Sequence, residues 1–349
     1  MAFQSTLIKM LLKLPQGLLI KLAGGQPTQI GGRTLDPYLQ FISFGASKQP
    51  PLSSFEPAIS RARAANALAM LAASPDPSIS SEDFAIAAPG RQIPVRLYRP
   101  SVQTPDHPMM VYMHMGGGVI GDLETCDAFC ALLAAKLGTP ILSVDYRLAP
   151  EHQFPKGLDD CIFAYEWALK KAESYGAPAG QAAIGGDSMG GNFTAVIAQE
   201  MRRQHKPLPS LQLMLYPATN LVTPFPSATL YGDTYPLSTE IMEWFMGHYL
   251  PEGQDPSDLR LSPALESRVE QLPPAIIVTA GFDPLVDDGA AYAKHLEAAG
   301  VPVTYKCFDS LAHGFTAFMA VSPVAKAACH EVADMVAKAY ATLDTGIVA

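Results

Sequence analysis

Cysteine is scarce in this chain. Five occur among 349 residues, at Cys126, Cys130, Cys161, Cys307 and Cys329. The number is odd and the spacing matches no zinc pattern, which argues against a disulfide scaffold or a zinc module and for reduced, buried thiols in a cytoplasmic protein. Basic residues are also few: 24 Lys and Arg face 33 Asp and Glu, giving a formal charge of −9 with no Lys/Arg cluster. Nucleic acid is therefore disfavoured as a partner, and a strongly acidic substrate would be repelled at long range. No apolar run approaches the roughly 18 residues of a membrane span. Residues 1–25 carry Leu7, Ile8, Leu11, Leu12, Leu18, Leu19 and Ile20, with Lys9, Lys13 and Lys21 between them. No small-residue cleavage site follows, so the expectation is an amphipathic helix packed on the body, not a signal peptide. Contact with a membrane surface is the lesser alternative, without stable insertion.

What the chain has in quantity is apolar side chain, 48% of all residues, enough for a large core without staples. Its length fits two average domains or one large α/β domain with an elaboration. From about Ser80 onward, short apolar runs alternate with helical patterns. Residues 84–88 and 94–98 read as strands joined by a turn at Pro89-Gly90-Arg91. Met109–Met113, 141–145, 182–185, 211–216, 276–280 and 303–308 read as further strands, several of them continuous apolar runs, as strands buried on both faces should be. Asp127–Leu137, 158–171, 190–203, 290–299 and 324–343 read as helices. Such alternation implies a mostly parallel sheet with helices on both faces. Two regions break it: a helical, irregular N-terminal stretch, and a Pro-rich stretch holding the helix Thr239–Tyr249. The organisation expected is an N-terminal cap segment (1–75), a first core segment (76–220), a second cap segment (221–273) and a second core segment (274–349). The cap would cover the C-terminal ends of the strands, where sites in such sheets lie.

The strongest chemical signal is Gly186-Asp187-Ser188-Met189-Gly190-Gly191. It follows an apolar strand and opens a helix, the context required of a nucleophile elbow. The flanking glycines avoid collisions that a Cβ would make in so tight a turn, and the helix start aims amide N–H groups at a developing oxyanion. A second glycine run, His114-Met115-Gly116-Gly117-Gly118, ends the strand Met109–Met113 and would let main-chain amides converge on a substrate carbonyl. His114 reads as structural, holding that loop through a backbone hydrogen bond. A serine nucleophile needs an imidazole base, and the imidazole needs a carboxylate to orient it. His313, in Ala312-His313-Gly314-Phe315, follows a strand near the C-terminus and stands where the chain order Ser, Asp, His requires. Asp283, in Gly281-Phe282-Asp283-Pro284-Leu285, follows a strand between the two. Asp287 and Asp288 are its competitors but read as dipole partners at the start of the next helix. Asp309 is a remote substitute.

Together with Asp145-Tyr146-Arg147-Leu148-Ala149-Pro150-Glu151-His152, Phe154-Pro155 and Asn192, these motifs resemble the bacterial hormone-sensitive-lipase-like family of esterases over nearly the whole chain from about Asp36. The resemblance implies the α/β-hydrolase fold, with a mostly parallel eight-stranded sheet, helices on both faces and a helical cap. It also implies carboxylic ester hydrolysis on short- to medium-chain acyl esters through an acyl-enzyme, with Ser188, Asp283 and His313 as triad. The amides of Gly116, Gly117 and Met189 would be the oxyanion donors, and Arg147 and Glu151 would be structural. No cofactor and no metal are implied; the partner is a small-molecule ester, and a homodimer is common. Met115, Gly118, Trp244, Phe245, Leu285 and Phe315 are expected around the substrate.

Three positions depart from the family pattern. Met115 replaces a glycine, Gly118 replaces a bulky aromatic and so should open one wall of the pocket, and Met189 replaces a small residue and should crowd the acyl group. A soft-metal site on Met115 and Met189 lacks a neighbouring Cys or His pair. The alternative function is a non-catalytic ligand-binding homologue, or a site-redesigned esterase with altered activity.

Overall fold

The computed structural model describes residues 10–343. An eight-stranded sheet is built from β3 (Ile79–Ala88), β4 (Arg91–Pro100), β5 (Met109–Met113), β6 (Ile141–Val144), β7 (Ala182–Asp187), β8 (Gln212–Leu215), β9 (Ala275–Phe282) and β10 (Val303–Ala312). Its order is β10-β9-β8-β7-β5-β6-β4-β3. The hairpin β3–β4 is antiparallel and pairs antiparallel to β6, and all other pairings are parallel. A two-stranded ribbon, β1 (Gln29–Ile30) with β2 (Arg33–Thr34), forms a separate small sheet.

Every residue of β5, β6, β7, β8 and β9 is buried, which is why these strands read as unbroken apolar runs instead of alternating ones. Side chains along a strand point to opposite faces in turn, and β5 divides accordingly. Met109, Val111 and Met113 join one apolar cluster with Leu158, Cys161 and Tyr165 of the helix Lys156–Lys171 and with Phe193 and Val196 of the helix Met189–Arg203. Met110 and Tyr112 join another with Phe129 and Leu133 of Asp127–Leu137 and with Cys329 and Val336 of Pro323–Leu343. Burial of each such side chain stabilises by about 1.5–3 kcal/mol, so the two clusters hold the strand ends in fixed register. The first cluster also takes Tyr292 and Leu296 from the helix Val286–Ala298.

The N-terminal region is less continuous than a single amphipathic helix over 1–25 would be. Residues 1–9, with Leu7, Ile8 and Lys9, lie outside the described residues. Pro15 precedes a short helix, α1 (Gln16–Leu22), that buries Leu19 and leaves Leu18 and Leu22 partly exposed. α2 (Pro37–Ala46) starts at a sharp signal: Asp36 accepts hydrogen bonds from the amides of Tyr38 and Leu39, both 3.1 Å, ahead of a proline at the first helical position. α3 (Pro57–Leu71) follows. Leu35, Leu39, Ile42 and Leu71 join the second apolar cluster, so this region is anchored in the core. Arg33 bonds Asp309 (2.9 Å) and the Gly281 carbonyl (3.2 Å), fastening it to the ends of β9 and β10. No helix among the described residues is long and apolar enough to cross a membrane.

Candidate active site

Four strand ends bring the chemistry together. Ser188 follows β7 directly. Asp283 follows β9 and His313 follows β10, and these strands pair with Ala312 opposite Phe282, so the carboxylate and the imidazole emerge side by side. Between them and β7 lies β8, followed by Tyr216, whose ring centre is 4.9 Å from that of His313. The resulting geometry is continuous. His313 Nε2 lies 2.9 Å from Ser188 Oγ, and His313 Nδ1 lies 2.8 Å from Asp283 Oδ2. The other carboxylate oxygen of Asp283 accepts the Leu285 amide at 2.9 Å. Asp283 is fully buried; Ser188 and His313 retain 8% and 6% exposure, so the relay is shielded but reachable.

Ser188 has φ 55° and ψ −114°, a conformation that costs a non-glycine residue about 1–3 kcal/mol. The surrounding bonds enforce it: its amide donates to the Leu215 carbonyl (2.9 Å), and its own carbonyl accepts the Asn192 amide (3.0 Å). The helix start must also press against β5. A Cβ on Gly190 would lie 1.9 Å from the Met113 carbonyl oxygen, so no side chain fits there.

Beneath the serine is a buried polar group that the sequence reading left without a role. Asp187 is fully buried. It accepts hydrogen bonds from the Tyr216 hydroxyl (3.0 Å), the Thr316 hydroxyl (3.2 Å) and the Cys126 thiol (3.4 Å). Burial pushes its carboxyl above the usual range, and the three donors and the nearby imidazole pull the other way. Asp288 is likewise more than a dipole partner. It is buried, takes the Thr219 amide (2.8 Å) and hydroxyl (2.5 Å), and is pushed up to about 6 chiefly by burial. Asp287 takes the Ser227 amide at 2.9 Å. Both tie the stretch after β8 to the helix Val286–Ala298, and neither touches His313.

The glycine loop after β5 is ordered by its own backbone. The amides of Val119 and Ile120 both donate to the Gly116 carbonyl at 3.0 Å, and the Ala149 amide donates to the Gly118 carbonyl at 2.8 Å. Gly116, Gly117 and Gly118 have φ of 130°, 62° and 73°. His114 is fully buried, bonds the Met115 carbonyl through Nδ1 (2.7 Å) and stacks on Tyr146 at 4.2 Å. Burial pushes it down to about 4, so at neutral pH the ring is uncharged. Among the described residues no three His, Cys, Asp or Glu side chains converge in a way that could hold a metal.

A sequence model described as the alpha/beta hydrolase fold matches residues 110–317. The chain is 40% identical to the carboxylic ester hydrolase LipN of Mycobacterium tuberculosis, over 84% of this chain and 80% of the relative. It is 36% identical to the ethyl acetate hydrolase of Pseudomonas putida, over 80% and 89%. The chain belongs to the α/β-hydrolase family, in its hormone-sensitive-lipase-like group. A solved ester hydrolase from the metagenome of Lake Arreo, complexed with a bipyridine phosphonate derivative, superposes with a TM-score of 0.84 at 36% identity, over 88% of this chain and 99% of that one.

The residues expected around the substrate in this hydrolase fall in different places. Phe245 and Tyr249, on the helix α4 (Thr239–Tyr249), are buried and face the glycine loop: Cβ atoms on Gly117 and Gly118 would lie 2.3 Å and 2.5 Å from their rings. The open wall expected from a glycine at 118 therefore does not arise, because Tyr249 fills that space. Trp244 is half-buried and packs on Phe245 and His248. Met115 is half-buried, its Sδ 3.2 Å from where a Cβ on Gly314 would be, next to His313. Met189 is 3% exposed and joins the apolar cluster that holds Phe193, Ile241 and Phe245. Leu285 is half-buried beside Asp283. Phe315 is fully buried, edge-on to both Tyr216 and Phe308, so it supports the Tyr216 ring from the core side. Arg147 bonds the buried Asp160 at 2.7 Å.

Proposed function

We propose that this protein hydrolyses carboxylic esters through an acyl-enzyme formed on Ser188. The observation that carries the reading is the unbroken relay from Ser188 Oγ through both nitrogens of His313 to Asp283, at 2.9 and 2.8 Å. It is supported by relatives named as ester hydrolases at 36–40% identity.

In this reading Ser188 Oγ attacks the ester carbonyl carbon as His313 Nε2 takes its proton. Asp283 holds the Nδ1–H tautomer and stabilises the imidazolium. The carbonyl oxygen becomes an oxyanion held by the amides of Gly116, Gly117 and Met189. Removing one such donor elsewhere costs about 3 kcal/mol. The imidazolium returns its proton to the leaving alkoxide, and water activated by the same nitrogen then releases the acid. Segment 221–273 and the described part of segment 1–75 form the cap. The rings of Phe245 and Tyr249 against the glycine loop leave little depth on that side, which favours short to medium acyl chains.

Ser188→Ala is expected to abolish turnover of p-nitrophenyl acetate while leaving the circular dichroism spectrum unchanged. Asp283→Asn should cost about four orders of magnitude in kcat, whereas Asp287→Asn should keep most activity. Retention of activity by Ser188→Ala would overturn the assignment. A non-catalytic ligand-binding protein would fail to label with a fluorophosphonate at Ser188.

A further inference from the structure

An arginine outside every recognised motif holds the glycine loop from the far side. Arg61 projects from α3, and its guanidinium joins two separate stretches of chain, at Val119 and at 149–151. Nε donates to the Val119 carbonyl at 2.7 Å, and Nη2 donates to the Ala149 carbonyl in the second stretch. Nη1 and Nη2 also bond the two Glu151 carboxylate oxygens at 2.8 and 2.6 Å. Ala149 in turn donates its amide to the Gly118 carbonyl. The residues on either side of the Gly118 peptide are thus tied to one rigid, planar group.

We propose that Arg61 is a positioning residue for ester hydrolysis: by gripping Val119 and Ala149 it holds Gly116 and Gly117 with their amides converged, and so couples docking of the N-terminal helices to the rate. The inference rests on the oxyanion role given to those amides above. Three consecutive glycines at positive φ have wide conformational freedom. The backbone ties of the glycines are the two bonds to Gly116 and the one from Ala149, with His114 holding only the Met115 carbonyl, so an anchor beyond Gly118 sharpens how the amides are aimed. Small displacements matter, since about 1 Å of misplacement can cost about 100-fold in rate. The ion pair itself is the lesser part. Glu151 keeps 54% of its side-chain surface exposed, and exposed pairs contribute little. Arg61 holds the Glu151 carboxyl down at about 2, so the grip does not loosen across the working pH range.

The test uses the full chain, with p-nitrophenyl acetate turnover normalised to sites titrated by a fluorophosphonate. Arg61→Met is expected to lower kcat by about 10- to 100-fold with KM changed by less than about 3-fold. Affinity for an alkyl trifluoromethyl ketone should fall in parallel, since that ketone takes Ser188 Oγ at its carbonyl carbon and places its oxygen as the oxyanion while His313 takes the proton. Arg61→Lys keeps the charge but not the fork and should stay impaired. Glu151→Gln keeps both carbonyl contacts and should lose less than about 3-fold. Millimolar guanidinium should partly restore Arg61→Ala. The proposal is overturned if Arg61→Met keeps kcat within about 2-fold, or if its loss appears equally in KM without weakening ketone binding. Should Arg61→Met not fold, Arg61→Lys at full kcat and ketone affinity overturns it equally. If the parent enzyme neither turns over ester nor labels at Ser188, it is the hydrolase reading that has failed and not the clamp alone.

Discussion

Asp145 shows how a single residue near the site carries a measurable cost. Burial, and then the nearby Asp122 charge, push its carboxyl up to about 6. The folded state therefore binds this proton more tightly than the unfolded chain, whose carboxyl titrates near 4. Stability from this group is fully present below about pH 4 and is lost as pH rises through 6. Asp145→Asn removes the penalty, so it is expected to stabilise the protein by about 1–2 kcal/mol at pH 8. The gain should shrink to nothing by about pH 4, as read from urea midpoints at the two pH values. Equal stability of the two proteins at pH 8 would show that the carboxyl is not strained there. At this scale the sequence was informative wherever a residue stood in a motif with a required chain order, as Ser188, Asp283 and His313 do. Arg61 and Tyr216 carried no such signal, and Asp288 read only as a competitor of Asp283 and a dipole partner, because the carbonyls, the carboxylate and the Thr219 amide and hydroxyl that they bond are brought near only by folding. Asp187 was visible in its motif, but the hydroxyls and thiol that satisfy it lie 29, 129 and 61 positions away.

Among elements, α4 decides the shape of the site next to the glycine loop. The packing of Tyr249 on Gly118 turns a local sequence oddity into a compensated pair: an aromatic missing from the loop is matched by one on the helix. Gly118→Trp should therefore fit badly. Its φ of 73° disfavours any side chain, and the first side-chain atom would sit 2.5 Å from the Tyr249 ring. A loss of about 2–4 kcal/mol is expected from the backbone conformation and overpacking together. Adding Tyr249→Ala should recover the steric part, read as a non-additive double-mutant cycle in urea unfolding. Additive losses would mean the two positions do not share space. The central strands were legible because burial on both faces leaves an apolar run with glycine or proline at its ends. The hairpin strands β3 and β4 each extend beyond their apolar cores, to ten residues. In β3 the added residues 80–83 are exposed and polar, so pairing continues where the hydrophobic pattern has stopped, whereas β4 adds the buried Ile93 beside the turn. β10 runs on past Phe308 through an irregularity in register to Ala312, a feature that periodicity does not encode.

The whole molecule adds a field to this geometry. The formal charge is −9, and two buried acidic residues adjoin the site, Asp187 next to the serine in the chain and Asp283 on the imidazole. A neutral ester meets no long-range force on approach, whereas an anionic one works against the summed potential until salt screens it. The Debye length falls from about 30 Å at 0.01 M to under 10 Å above about 0.15 M, so the repulsion should fade over that interval. KM for the p-nitrophenyl half-ester of succinic acid is therefore expected to drop about 2- to 5-fold between those ionic strengths. KM for p-nitrophenyl butyrate, of the same acyl length but uncharged, should stay constant. The paired substrates separate the field from any effect of salt on the fold, which would move both. A flat response for the charged ester would mean that positive groups near the entrance offset the net charge locally, and that composition alone misjudges the potential a substrate meets.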